Sequence, residues 1–200
     1  ILMVQEKYKI DLGLPSENIS DLRDAMMVSY PLKDVERLAD RDYVSDVMLN
    51  KNIDIEDYVE PIIVYNKIIS SQKSIPIEKQ TEEGYELTHL VWALYTIVKD
   101  NHLLRTYKEF MINSLINLYT RIPLATDVST ETLYFISELD SFYIKEEWIM
   151  DLESQQDSNG AFTGETPKGF SKQNLVLLQV HHTALALLTL YNFYNGNNSN

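Results

Sequence analysis

The chain has 200 residues, 44% of them hydrophobic and 24% charged, which is ordinary globular composition and excludes the disordered and fibrous classes. Seventeen Lys and Arg against thirty Asp and Glu give a net charge of −13, a field that repels phosphate backbones and argues against a nucleic-acid partner. The absence of cysteine excludes disulfides, thiol nucleophiles and thiolate metal sites.

In chain order, residues 1–19 read as an N-terminal extension, with weak strand patterning at Ile1–Ile10. Ser20-Asp-Leu-Arg opens a short helix that Pro31 ends, and Lys33 to Lys51 reads as one or two more. Asp54 caps a helix to Ser71 in which Pro61 should introduce a kink, and Gln72 to Gln80 is a loop around Pro76. Thr81 starts a helix with Leu87, Leu90, Val91, Leu94, Ile97 and Val98 on one face. Leu103 to Arg121 follows, stopped by Pro123; Ser129 caps a helix to about Phe142, and Lys145 to Gln156 forms another. Asp157 through Gly169 is turn-rich, Lys172 to Tyr194 is the last and most apolar helix, and 195–200 is a frayed tail. No apolar run is long enough to span a bilayer, so the whole chain reads as one soluble all-α domain. The compartment stays open between the cytoplasm and export after removal of an N-terminal segment.

Self-similarity organises these helices. Glu86-Leu-Thr-His89-Leu-Val-Trp-Ala-Leu-Tyr-Thr-Ile aligns with Gln179-Val-His-His182-Thr-Ala-Leu-Ala-Leu-Leu-Thr-Leu, both reading Glu/Gln-x-x-His-x-x-x-Ala-Leu-x-Thr-aliphatic. A weaker copy runs Glu131-Thr-Leu-Tyr134 through Phe142, and a faint one has Tyr43 in register. Markers at 43, 89, 134 and 182 recur every 45 to 48 residues, the period of stacked helical hairpins. About four hairpins result, with the marker helices facing a common core and the more charged helices between them outside.

The segment Leu152-Glu-Ser-Gln-Gln156-Asp-Ser-Asn-Gly160-Ala-Phe162 resembles the Gln-Trp repeat of terpenoid cyclases, with Phe162 in place of Trp. The helix from His182 is similar to inner helices of the wider α/α-toroid group, which includes prenyltransferase β subunits and glycan-active enzymes. The resemblance implies an α/α-toroid-like array or a short α-solenoid; a complete toroid needs more helices than this chain holds, so the ring is small, incomplete or closed by a partner. The catalytic residues of those families do not carry over: no Asp-x-Asp-Asp acid is present, and the zinc-bound Cys of the prenyltransferases has no counterpart.

Four residues are candidates for chemistry. Glu86 and His89 share a helix face, and with His182 they could hold one divalent metal ion if the inner helices converge; the same groups could act as acid and base. Asp157 lies in the loop before the last inner helix, where a pocket mouth would be. His181 and His182 point about 100° apart on a helix, so one of them faces the interior. Tyr85, Trp92, Tyr134, Phe162 and His181 are candidate ligand contacts, against the simpler reading that aromatics at helical spacing are core. Two functions stay open. One is a binding or interaction domain using its concave inner-helix face for a small-molecule, glycan or protein partner, homo-oligomers included. The other is a hydrolase or lyase acting on a neutral glycan or small polar substrate through Glu86, His89, His182 and Asp157. The first is favoured because no constellation requires catalysis.

Overall fold

A computed structural model describes residues 55–99, 102–123, 126–158, 160–164 and 172–196. The expected helices at 20–51, the strand-like 1–10 and the marker Tyr43 lie outside the described residues. Six α-helices account for most of the rest: α1 (Glu56–Ser70), α2 (Ile77–Val98), α3 (Leu103–Tyr119), α4 (Asp127–Asp140), α5 (Glu146–Glu153) and α6 (Lys172–Gly196), with a 3-10 turn at Ser141–Tyr143. Among the described residues there is no strand, only an isolated antiparallel bridge between Gln156 and Phe162. The fold is all-α. No helix among the described residues is long and apolar enough to cross a membrane.

Two helix starts differ from the sequence reading, each for a local reason. Helix α2 begins at Ile77 rather than Thr81, because Pro76 (φ −58°, ψ 149°) ends the extended segment and the chain turns straight into the helix. Buried Ile75 anchors that entry by donating its N–H to Arg121 O at 2.7 Å, and the Gln80 amide returns to Ile75 O. Helix α4 begins at Asp127 because Thr126, not Ser129, is the cap. Ser129 N–H donates to Thr126 Oγ1 and Thr126 N–H donates to Ser129 Oγ, a reciprocal box that satisfies two otherwise orphaned donors. Helix α1 runs through Pro61 as a single element.

The neighbours alternate between two layers. Helix α4 packs against α6, α2 and α3, whereas α1 packs against α2 and α3. Tyr119 and Trp148, with ring centroids 4.7 Å apart, join α3 to α5. Helices α2, α4 and α6 are therefore adjacent on one side, and α1, α3 and α5 lie on the other. One apolar core, with Leu90, Leu94, Ile112, Leu115, Ile136 and Ala186 fully buried, runs between the layers. Across the first layer, Gly84 lets α2 approach α4 closely: a Cβ there would sit 2.6 Å from Val128 Cγ1. In the second layer a polar ladder holds α1 to α3, with Asn66 donating to Ser114 Oγ at 2.6 Å and Asn117 donating to Asn66 Oδ1.

Helix α4 is the centre. Every residue from Asp127 to Ser137 is buried, so this inner helix presents no open concave face. Polar groups on so buried a helix need partners; Thr132 and Ser137 bond the α4 backbone, and Asp127 and Thr130 reach across to other helices.

Candidate functional site

The capping box sets the geometry. By starting α4 two residues early, it brings Asp127 into the helix one turn before Thr130 and Glu131, which follow it by three and four residues. Helix α2 brings Tyr85, Glu86 and His89 toward that face, and α6 brings His181 and His182.

Asp127 is the hub. Its carboxylate is buried and accepts a hydrogen bond from Tyr85 Oη on α2. It also meets His181 Nδ1 on α6, at 3.1 Å from Oδ1 and 3.2 Å from Oδ2. One side chain thus joins three helices. Burial alone would raise the Asp127 pKa, but the His181 charge and hydrogen bond, the Tyr85 hydroxyl and the His182 charge together hold it below the ordinary carboxylate value. His181 responds in kind. Burial opposes its charged form, yet the Asp127 charge and hydrogen bond and the Glu131 charge push its pKa up to about 9. At neutral pH the pair is imidazolium and carboxylate.

Two further contacts run parallel to the hub. His89 Nε2 lies 3.5 Å from Glu131 Oε1, linking α2 to α4. Burial works against a charged His89, but the charge and hydrogen bond of Glu131, with Glu86 adding, leave its pKa above the ordinary imidazole value. The other oxygen, Glu131 Oε2, is buried with no hydrogen-bond partner. Between α4 and α6, Thr130 Oγ1 and His182 Nε2 are 2.9 Å apart. His182 is 2% exposed, and burial, with the His181 charge, depresses its pKa although Asp127 opposes that shift. Glu86 stays half-buried at the edge, its pKa raised by burial and partly restored by the His89 charge.

The expected residues are therefore distributed differently from the sequence reading. Glu86 and His89 share one face of α2, as the spacing required, but His182 turns to Thr130 rather than to them. Among the described residues, no three His, Asp or Glu side chains are arranged to hold a metal ion, so Glu86, His89 and His182 do not form the expected ligand set. His182 meets Thr130 of α4 from α6, while His89 reaches Glu131 of α4 from α2. Asp157 is exposed, and among the described residues its hydrogen bonds are those of its own turn, its N–H donating to Ala161 O and its carbonyl accepting from Gly160, which holds φ at 86°. It is a turn residue.

The aromatic candidates divide. Tyr134 and Phe162, 4% and 1% exposed, are core rather than groove lining. Phe162 is fixed by its N–H donating to Thr183 Oγ1 of α6 at 3.0 Å. Trp92 packs half-buried against the same core, and Tyr85 serves Asp127. Three members of the cluster are not among the candidates read from the sequence: Asp127, Thr130 and Glu131. Glu131 stands in the repeat alignment at the position of Glu86, and Asp127 precedes it by one helical turn, so both carried a signal in the spacing.

Comparison of the chain with protein-family models, with curated proteins and with solved structures finds no match. The function must be argued from the site itself.

Proposed function

We propose that this chain is a non-catalytic binding domain of the α/α-toroid or short α-solenoid kind, in which the histidine–carboxylate cluster locks the inner helices in register. The observation that carries this reading is the Asp127 carboxylate, buried and shared by Tyr85 of α2 and His181 of α6. Each cluster histidine is matched to a group on a different helix: His181 to Asp127, His89 to Glu131, His182 to Thr130. Groups committed in this way fix geometry and cost reactivity, since a general base needs an open proton-accepting nitrogen at working pH. The partner, a glycan, a peptide or another protein, would meet the half-buried edge of the inner layer at Tyr85, His89 and Trp92.

A second reading has one specific observation behind it. The His181 side chain is 32% exposed while its Nδ1 is held by a buried carboxylate, the arrangement of a general acid. A hydrolase or lyase acting on a neutral glycan would then use Asp127 and His181 in place of Glu86, His182 and Asp157.

Metal titration separates a structural cluster from a metal-assisted one. Calorimetry with Zn²⁺ and Mn²⁺ is expected to show no stoichiometric binding, and the melting temperature is expected to be indifferent to chelator. The variant His89→Ala/His182→Ala should melt lower with or without chelator. Stoichiometric binding, with a melting temperature that falls on chelation only when both histidines are present, would make the cluster a metal centre and overturn the proposal.

A further inference from the structure

Between α1 and α3 runs an open groove of about 530 Å³, lined by Ile63, Asn66, Lys67, Ser70, Ser71 and Phe110. Its polar groups are largely committed to one another. Asn66 donates to Ser114 Oγ, Asn117 donates to Asn66 Oδ1 and to Ser70 Oγ, and Ser71 Oγ donates to Ile68 O. What is left to meet a partner is the apolar pair Ile63 and Phe110, with the ammonium of Lys67. Ile63 is 39% exposed, and the apolar surface continues over the shoulder of α1 through Val64 at 54% and Ile68 at 40%. A helix serving only as an outer wall would carry polar residues on that side.

Charge identifies what fits the groove. The chain carries thirty Asp and Glu, yet it has none from Pro61 to Ile77 or from Phe110 to Thr126, the two segments that build this region. Those segments hold Lys67, Lys73 and Arg121. The fold gathers the three at the C-terminal end of α1. Lys67 lies in the last turn of that helix. Arg121 Nε donates to Gln72 O, and Ile75 N–H donates to Arg121 O, which sets Lys73 beside Arg121. Among the described residues none of the three cations is in an ion pair, and Arg121 donates to neutral oxygens of Gln72, Asn117 and Thr120. Glu83 of α2 approaches the same corner, where Gln72 Nε2 donates to it. The α1 dipole accounts for one lysine in its last turn; Lys73 lies beyond the helix and adds positive charge that the dipole does not call for. Fields are screened beyond about 8 Å at physiological salt, so at this corner the local cations outweigh the distant acids of a chain with net charge −13.

We infer that the α1–α3 groove is a docking site for an acidic amphipathic segment of a partner protein. An apolar side chain of that segment sits between Ile63 and Phe110, and its carboxylates meet Lys67, Lys73 and Arg121. This inference does not rest on the role of the histidine cluster, which lies on α2, α4 and α6. From Ile63 to Ser71 the groove follows α1 for about two helical turns, enough for the apolar anchors of a short helix laid into it. Ion pairs on an exposed rim are weak and are screened by salt, so dissociation on the order of 50 μM at low salt is expected.

Fluorescence anisotropy with the full chain tests it. The probe is a fluorescein-labelled helical peptide of about 14 residues, with leucines on one face and glutamates flanking them. It should bind saturably, and roughly 10-fold more weakly at about 0.5 M salt. Lys67→Glu/Lys73→Glu should weaken binding by roughly 20-fold or more, because each change replaces an attraction with a repulsion. Ile63→Ser should weaken it by roughly 5-fold through the lost apolar contact. Lys145→Glu on α5, a cation away from the groove, should leave it unchanged. All four side chains are exposed, so the melting temperatures of these variants should match the wild type. Absence of saturable binding up to about 500 μM chain would overturn the inference. So would binding that survives Lys67→Glu/Lys73→Glu, which would place the peptide elsewhere. Displacement of the probe by octanoate at or below the probe's own dissociation constant would overturn it in favour of a small carboxylate ligand.

Discussion

Replacing Asp127 with alanine is expected to destabilise the fold by about 3 kcal/mol and lower the melting temperature by about 6–12 °C. The carboxylate is buried and accepts from Tyr85 on α2 and His181 on α6, so its loss strands two donors on two neighbouring helices. Removing one partner of a buried ion pair typically costs about 3–5 kcal/mol, and the lower end applies because the His181 side chain is 32% exposed and can recover water. Asp127→Asn keeps the shape and one acceptor and should lose about half as much. Differential scanning calorimetry of the two variants checks the ranking. A loss below about 1 kcal/mol in the alanine variant would mean that the hub holds nothing together.

The second large effect is on pH. His181 has an ordinary value of 6.5 and is raised to about 9 in the folded chain. A histidine raised by folding contributes stability that is complete below the unfolded value and is lost as pH rises through the folded one. Stability should therefore fall between pH 6.5 and about 9, by on the order of 2 kcal/mol once the partial exposure of His181 is allowed for. His89, also raised, adds to the same alkaline limb. His182 is depressed and folds neutral, so it has the opposite sign: stability is lost as pH falls below the unfolded histidine value. Asp127, depressed as well, adds a further acid loss as pH drops through its folded value, below the ordinary 3.8. The maximum is expected near pH 6.5, where the two histidine limbs meet. Urea unfolding at pH 6.5 and 9 measures the alkaline limb, and His181→Gln should flatten it. An equally steep limb in that variant would assign the titration to another group.

Much of the fold could be read from the chain. The helical periodicity, the stops at Pro123 and Asp100, and the long apolar terminal helix locate the described helices to within a few residues of their observed bounds. In the packing, α4 lies against α2, α3 and α6. The cluster was only half legible, and the cause is one residue's capping role. Thr126 and Ser129 are both good caps; taking Ser129 left Asp127 outside the helix, where it reads as a loop acid. The acid that a capping box leads one to seek at the third helical position is absent, and Ser129 performs that reciprocal bond with its hydroxyl. Glu131 was aligned with Glu86, but nothing in a spacing says which of two aligned acids a histidine will reach. His89 meets Glu131 across helices, while Glu86 remains at the edge of its own. Phe162 shows the converse. As an aromatic it reads as a candidate ligand contact, whereas it is buried in the core with its N–H held by Thr183 Oγ1, 21 residues away in sequence.

The central claim is that Asp127 and His181 form a structural lock between helices, and a double-mutant cycle on that pair tests it most directly. Asp127→Asn, His181→Gln and the double variant would be unfolded in urea at pH 6.5, where the pair is fully charged. A coupling energy of about 1.5–3 kcal/mol, shrinking by pH 9.5 as His181 loses its proton, is the result predicted. Additive losses within about 0.5 kcal/mol at both pH values would contradict the lock and return the pair to consideration as a site for chemistry.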